Sequence, residues 1–256
     1  MLEFRDVHFR EIAPLRIKYL DSLPQFQELY IEWLVRAADY HIIFCDSKIA
    51  GYFIVNADKT LLEFYAEPEY ISECDSIFQE ISISYFDKVY CKSFDPVLLK
   101  CCLSRGCNYK IVGTLFRDRT HKEHIDYSGS APIIASEEDI DLLVSHKDGL
   151  YESVAELHYM LTSGMIHMFF DGDVLVGCGY LIRIHENFVY HDIGMWVSTP
   201  YRNRGIATKI ISYLKKLCDD NKYIPICGCS RDNIPSRKAL ERNGFISRYD
   251  LIEFSM

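Results

Sequence analysis

The chain has 256 residues, of which 49% are hydrophobic and 25% are charged, as expected for a folded globular protein of one large or two ordinary domains. Its net charge is −9, and both halves are acidic: the first 130 residues carry 20 acidic and 15 basic side chains, and the rest carry 17 and 13. This balance argues against a nucleic-acid partner and suits a cationic substrate. No apolar run approaches the roughly 18–20 residues that span a bilayer, which predicts no membrane partner. Ten cysteines without a secretory signal or a Cys-x-x-Cys pair favour a cytoplasmic protein without a metal site.

A hairpin-like run covers 42–55, with His41 before it and Gly51 inside it. The segment that follows Pro68 carries several carboxylates and neither a glycine nor an arginine.

A polar stretch at 117–126, followed by Ser128-Gly129-Ser130, has the composition of a linker. We therefore predict two domains, 1–125 and 126–256. His121 and His124 stand at a spacing that could hold a metal ion, but a polar linker explains the stretch better.

The second half begins with a Ser136 helix cap and continues as helices and apolar strands. The predicted helices cover 137–146 and 154–161, a hairpin with a turn at 171–173 covers 168–184, and a strand covers 188–197.

The most informative segment is Arg202–Ala207, which joins this strand to an amphipathic helix that starts near Ala207. The first N–H groups of a helix have no partner inside it, and the helix dipole adds positive charge at the same end. Gly205 lets a ligand approach the backbone closely, and Arg202 and Arg204 add charge. The segment therefore predicts a site for a phosphate-rich cofactor. It matches neither the nucleotide P-loop nor the Rossmann fingerprint.

The segments after the loop follow a regular order. The apolar residues of the helix recur at helical spacing, a strand follows at 223–229, and a short helix lies between Asn233 and Gly244-Phe245. Gly244 is suited to a left-handed helix cap, and a last strand covers 246–254.

Over residues 130–256 the chain resembles the GNAT family of N-acetyltransferases. The resemblance rests on the order of the loop, the helix after it, the strand, the short helix that begins at Asn233, and Gly244-Phe245. The resemblance implies an α/β fold whose mixed, mostly antiparallel twisted sheet is flanked by helices. The first half resembles a degenerate second copy, because His41 and Gly51 match His167 and Gly177, and further segments match at an offset that drifts from 126 to 138 residues. This copy lacks the loop and is predicted to have lost the cofactor.

The resemblance implies acetyl-CoA as the co-substrate and a primary amine of a small molecule or amino acid as the acceptor. In the family the fourth strand splays from the fifth and binds pantetheine through its free backbone groups, which the resemblance places at 195–197 here. The pyrophosphate is expected on the loop. The predicted cofactor-binding residues are Met195, Trp196, Val197, Arg202, Asn203, Arg204, Gly205, Ile206, Ala207, Thr208, Asn233, Ser236 and Arg237.

The resemblance also places a general base eleven residues before Arg202, where His191 stands with Asp192 after it. Strand alternation puts the two side chains on opposite faces, so at most one points into the site. Many family members carry a tyrosine that protonates the leaving thiolate, and here that position is Leu240. Cys229, Ser230 or water are the substitutes. A non-catalytic acyl-CoA sensor that acts through a protein partner stays open as an alternative, as do a monomer and a homodimer.

Overall fold

The computed structural model describes residues 1–127, 129–146, 149–151 and 153–256. Ser128 of the predicted linker lies outside the described residues. The chain forms two compact units, Met1–Leu115 with Tyr249–Met256, and Phe116–Arg248. The final eight residues thus return to the first unit, which the sequence pattern did not indicate. The domain boundary drawn at 125 and 126 stays a prediction.

The first unit is a mixed sheet with helices. Its elements in chain order are β1 (Leu2–Val7), α1 (Phe9–Ser22), α2 (Leu29–Arg36), β2 (Asp39–Cys45), β3 (Lys48–Val55), β4 (Thr60–Ala66), a 3-10 helix (Pro68–Glu73), α3 (Cys74–Ser82), β5 (Lys88–Lys92), α4 (Pro96–Ser104) and most of β6 (Asn108–Arg119). The strand order is β1-β2-β3-β4-β5-β12, where β12 (Phe245–Ser255) contributes its last residues. All these pairs are antiparallel except β4 with β5.

The second unit repeats this plan. Its elements are the end of β6, β7 (Ile133–Ile134), a 3-10 helix (Glu137–Asp139), α5 (Ile140–Ser145), α6 (Val154–Thr162), β8 (Ile166–Asp171), β9 (Val174–Arg183), β10 (Tyr190–Val197), a 3-10 helix (Thr199–Tyr201), α7 (Ile206–Asn221), β11 (Ile224–Ser230), α8 (Ile234–Arg242) and the start of β12. The strand order is β6-β11-β10-β9-β8-β7. β10 pairs with β11 in parallel, whereas the pairs β10–β9, β9–β8 and β8–β7 are antiparallel.

The repeat found in the sequence has a backbone counterpart. Each hairpin contains a register shift shortly after its matched histidine, between Ile43 and Phe44 in β2 and between Phe169 and Phe170 in β8. The matched glycines lie where the next strand passes closely. A Cβ at Gly51 would lie 1.9 Å from the Tyr65 carbonyl oxygen, and one at Gly177 would lie 2.8 Å from the Trp196 carbonyl oxygen. Steric exclusion of a side chain therefore explains both glycines.

The parallel strand pair opens after a few residues in each unit. In the second unit β10 pairs with β11 only through Tyr190–Asp192, although β10 continues to Val197 and β11 to Ser230. In the first unit β4 pairs with β5 only through Thr60 and Leu61. Beyond Asp192, the backbone of β10 is therefore no longer paired with β11.

Candidate active site

The loop that joins β10 to α7 has the backbone shape of an anion site. Asn203 and Gly205 have φ values of +63° and +77°, in the left-handed region, and α7 begins at Ile206. A Cβ built on Gly205 meets no described atom within 4 Å, so the space before the helix is open. The helix start has no side-chain cap, and its first turn, which the structure describes in full, contains no acidic residue. Its first N–H groups can therefore bind an anionic ligand.

The two arginines of the loop are held differently. The Arg202 Nε donates a hydrogen bond to the Val197 carbonyl oxygen at 3.0 Å, which ties the loop to the end of β10. The Arg204 guanidinium lies 5.1 Å from the centre of the Tyr201 ring, a cation–π distance. Tyr201 was not among the predicted site residues, although its position directly before the Arg-rich loop could have suggested it.

The remaining predicted cofactor residues lie around the opening between β10 and β11. Met195 and Val197 pack on the α7 side of β10, while Trp196 is buried on the opposite face, where its ring meets the His146 ring edge-on at 5.5 Å. Thr208 is buried in the first turns of α7, and its carbonyl oxygen accepts a hydrogen bond from Asn243.

The start of α8 supplies the other predicted contacts. The Asn233 side chain accepts a hydrogen bond from the Ser236 N–H at 3.2 Å and so caps the helix. Arg237 donates to the Glu241 carboxylate at 2.8 Å and to the Ser247 hydroxyl at 3.2 Å. These three residues thus shape the helix itself, and their contact with a cofactor stays a prediction.

The structure separates the two candidates for the general base. Residues 191, 193, 195 and 197 of β10 share the α7 face, as shown by the packing of Ile193 against α7. His191 on this face is 7% exposed and stacks on Tyr223, with ring centres 3.9 Å apart. Its Nδ1 lies 3.1 Å from the Val189 carbonyl oxygen. Burial lowers the pKa of His191, and the neighbouring Arg183 lowers it further.

Asp192 lies on the opposite face, at the last pair before the strands part. It is half-buried, and its register partner across β11 is Ile226. The Cys227 thiol nearby is fully buried, which raises its pKa, and the Asp192 carboxylate raises it further. The same face carries Tyr180, which lies opposite Gly194 in β10. The Tyr180 hydroxyl donates a hydrogen bond to the Leu150 carbonyl oxygen at 2.7 Å. Burial raises the pKa of Tyr180. Strand alternation in β9 could have shown from the sequence that Tyr180 lies on the same face of the sheet as Asp192.

The position of the missing tyrosine is part of the hydrophobic core. Leu240 is 1% exposed and packs with the α7 residues Ile210 and Leu214. Cys229, at the end of β11, is half-buried, and burial raises the pKa of its thiol.

The linker histidine has an ordinary structural role. The Ser212 hydroxyl on α7 lies 2.9 Å from the His124 Nδ1 and accepts a hydrogen bond from the Ile125 N–H at 2.8 Å. These contacts fasten residues 124 and 125 to α7 of the second unit.

The first unit has a buried polar network close to the equivalent point of its sheet. Beyond the last β4–β5 pair, Glu63 and Lys92 are both fully buried. Arg16 donates to Glu63 at 3.0 Å, and Gln27 donates to Glu63 at 2.6 Å. Lys92 donates to Gln27 at 2.5 Å and to the Tyr19 hydroxyl at 2.6 Å. Although burial opposes it, the charge of Arg16 lowers the pKa of the Glu63 carboxyl.

Two family models match the chain, an acetyltransferase (GNAT) domain over residues 8–119 and the acetyltransferase (GNAT) family over residues 133–245. The chain therefore belongs to the GNAT family and contains two GNAT domains in tandem. This confirms the predicted family and the tandem α/β fold, and it places the protein among acyltransferases. No match was found among curated protein sequences.

Solved structures show the same fold over the whole chain. A GNAT-family acetyltransferase from Colwellia psychrerythraea has a TM-score of 0.89 at 18% identity and covers 99% of each chain. A tandem GNAT protein from the clavulanic acid biosynthesis pathway, solved without AcCoA, has a TM-score of 0.68 at 10% identity and covers 100% of this chain and 98% of its own. A GNAT protein from Sphaerobacter thermophilus has a TM-score of 0.65 at 12% identity, covering 99% and 95%. Among the described residues, no helix has the length and hydrophobicity that membrane crossing requires.

Proposed function

We propose that the second unit binds acetyl-CoA and transfers its acetyl group by direct attack to a primary amine of a small molecule or an amino acid. The observation that carries this proposal is the open, uncapped start of α7 beside the point where β10 parts from β11. The loop amides and arginines suit the pyrophosphate, and the part of β10 at 195–197, which no longer pairs with β11, suits the pantetheine amides. The ten free cysteines favour a reducing compartment such as the cytoplasm.

Asp192 is the proposed general base. It lies where the strands part, on the face opposite α7, and a carboxylate at that point accepts the proton that the amine loses as its nitrogen attacks the thioester carbon. The C–S bond then breaks, and the leaving thiolate takes a proton from water or from the Cys229 thiol. Leu240 is buried in the core and has no proton to give.

We also propose that the first unit binds no acyl-CoA. The buried Glu63–Lys92 network lies beyond its last β4–β5 pair, and α3, the helix equivalent to α7, has Asp75 in its first turn. A carboxylate there repels a pyrophosphate. One cofactor should therefore bind per chain, although two GNAT domains are present.

Calorimetric titration of acetyl-CoA into the full-length protein tests the binding step. We expect micromolar affinity with one site per chain, and Gly205→Glu should weaken binding by about a hundredfold because its carboxylate faces the pyrophosphate. Gly172→Glu is the matched control, since Gly172 also has a positive φ, +59°, and open space around it. Equal affinity in the wild type and Gly205→Glu, or a second site of similar strength, would contradict the proposal.

Turnover separates catalysis from sensing. Thiol release should be followed with acetyl-CoA and a panel of primary amines. Acetyl-CoA binding without thiol release for any amine would favour the acyl-CoA sensor. The leucine at position 240, where many family members carry a tyrosine, also favours the sensor.

A further inference from the structure

The first unit contains a cluster of two cysteines and an aspartate that the proposed acyl transfer does not use. Cys74 and Asp75 form the start of α3, and Cys101 lies on α4. The two sulfur atoms and a carboxylate oxygen of Asp75 all lie within 4.8 Å of one another. Both cysteines are 1% exposed.

The two oxygen atoms of the Asp75 carboxylate have different surroundings. Its Oδ2 lies 3.0 Å from the Lys100 Nζ, and the Asp75 side chain is 44% exposed. Its Oδ1 is buried and has no hydrogen-bond partner among the described residues. The Cys101 thiol of the cluster lies against the Asp75 carboxylate as a weak donor, and a cation that displaces the thiol proton would satisfy the carboxylate oxygen fully.

The dimensions of the cluster suit a tetrahedral ion. Zinc binds thiolates at about 2.3 Å and carboxylates at about 2.0–2.2 Å, so its ligand atoms lie about 3.5–3.8 Å apart. The three atoms here need to approach one another by only about 1 Å. Two thiolates and one carboxylate select a thiophilic divalent ion over Mg²⁺ or Ca²⁺, which require oxygen ligands.

The charges also balance. A divalent ion displaces the two thiol protons into solvent, leaving two thiolates and one carboxylate around a charge of +2. The Lys100 ammonium beside Asp75 neutralises the remaining negative charge. Cys74 and Asp75 also lie in the first turn of α3, where the helix dipole stabilises anionic ligand atoms.

We propose that Cys74, Asp75 and Cys101 bind one Zn²⁺ ion, which joins α3 to α4 in the first unit. Water fills the fourth tetrahedral position and reaches the ion from the exposed Asp75 side. The site stands at the start of the helix equivalent to α7. The start of α7 in the second unit therefore suits an anion, whereas the start of α3 in the first unit is the proposed cation site.

The experiment is a Co²⁺ titration of the full-length protein with a non-thiol reductant present, followed by displacement with Zn²⁺. Thiolate-bound Co²⁺ gives sulfur-to-metal charge-transfer and visible absorption bands, which inert thiols do not. We expect these bands to saturate at one equivalent and to be abolished by Zn²⁺. Cys74→Ser and Cys101→Ser should lose the bands. Asp75→Asn should weaken Co²⁺ binding at least about tenfold.

Cys102→Ser is the matched control. Cys102 is the neighbour of Cys101 on α4 and is equally buried, but its thiol faces Asp95 and Cys107 rather than the cluster. Retention of one equivalent in this variant supports the site, whereas equal loss would show general thiol affinity and overturn it. Retained bands in Cys101→Ser, or no bands in the folded wild type, also overturn it. If both cysteine variants fail to fold, Asp75→Asn decides, and unchanged affinity rejects the proposal.

Discussion

His191 and Asp192 are adjacent in β10, and each has a side chain that could serve as the general base. Both can accept a proton near neutral pH or below, and sequence alternation predicted only that they face opposite ways. The position of α7 gives the two side chains different surroundings. His191 shares the α7 face and stacks on Tyr223, whereas Asp192 lies on the opposite face at the end of the β10–β11 pairing.

Asp192→Asn should therefore reduce kcat by about 10²–10⁴-fold, because the amide cannot accept the proton of the attacking amine. Acetyl-CoA affinity should stay unchanged, since the pyrophosphate loop is untouched. His191→Phe is the comparison, because phenylalanine preserves the stacking on Tyr223. Its kcat should stay within about threefold of the wild type. Steady-state kinetics with calorimetry decides the matter, and a large loss in His191→Phe with little loss in Asp192→Asn would reverse the assignment.

At the scale of elements, α8 combines a structural cap with a position beside the proposed cofactor. Asn233 caps the helix through the Ser236 N–H, and Gly244 ends the segment with a φ of +89°. Both features were predictable, because capping depends on a few neighbouring residues. The core position of Leu240 depends on α7, a contact distant in sequence.

Substitutions at Asn233 can separate the two roles. Asn233→Ala should lower the free energy of unfolding by about 1 kcal/mol through loss of the cap. Asn233→Asp should keep the cap and the stability, because aspartate is an equally good cap. Its negative charge should nevertheless weaken acetyl-CoA binding about tenfold if the side chain lines the cofactor channel. Urea unfolding and calorimetry measure both effects. Equal acetyl-CoA affinity in Asn233→Asp would leave Asn233 with the capping role alone.

At the scale of the whole molecule, local patterns predicted more than distant contacts. The loop at Arg202–Ala207 and the helix after it could be read from the sequence because positive φ, helix capping and amphipathic spacing act over a few residues. The internal repeat identified the two GNAT domains. The early end of the β10–β11 pairing was expected only through the family resemblance, since nothing in the local sequence marks it.

The return of the last strand to the first unit was not predicted either. Residues 249–256 follow the second unit directly, and nothing in their sequence indicates which sheet they join. In the structure, Leu251–Ser255 pair with β5, and Phe254 is 1% exposed in the core of the first unit. A cut between residues 125 and 126 would therefore separate the first unit from one of its own strands.

This arrangement predicts that a substitution near the end of the chain destabilises the first unit. Phe254→Ala should lower its free energy of unfolding by about 3–5 kcal/mol, since it removes a fully buried aromatic side chain. The two tryptophans make the measurement specific, because Trp33 lies in the first unit and Trp196 in the second. Urea unfolding followed by Trp33 fluorescence in a Trp196→Phe background should show the lower midpoint.

Leu103→Ala is the matched control, because Leu103 belongs to the same unit but is 55% exposed. Its midpoint should stay within the range of ordinary surface substitutions, about 0.5 kcal/mol. Deletion of residues 249–256 should lower the Trp33 midpoint further than Phe254→Ala, because it also removes the hydrogen bonds to β5. If the Trp33 transition is the same in all these variants, the first unit does not depend on the last strand. A domain boundary at 125 and 126 would then suffice for folding.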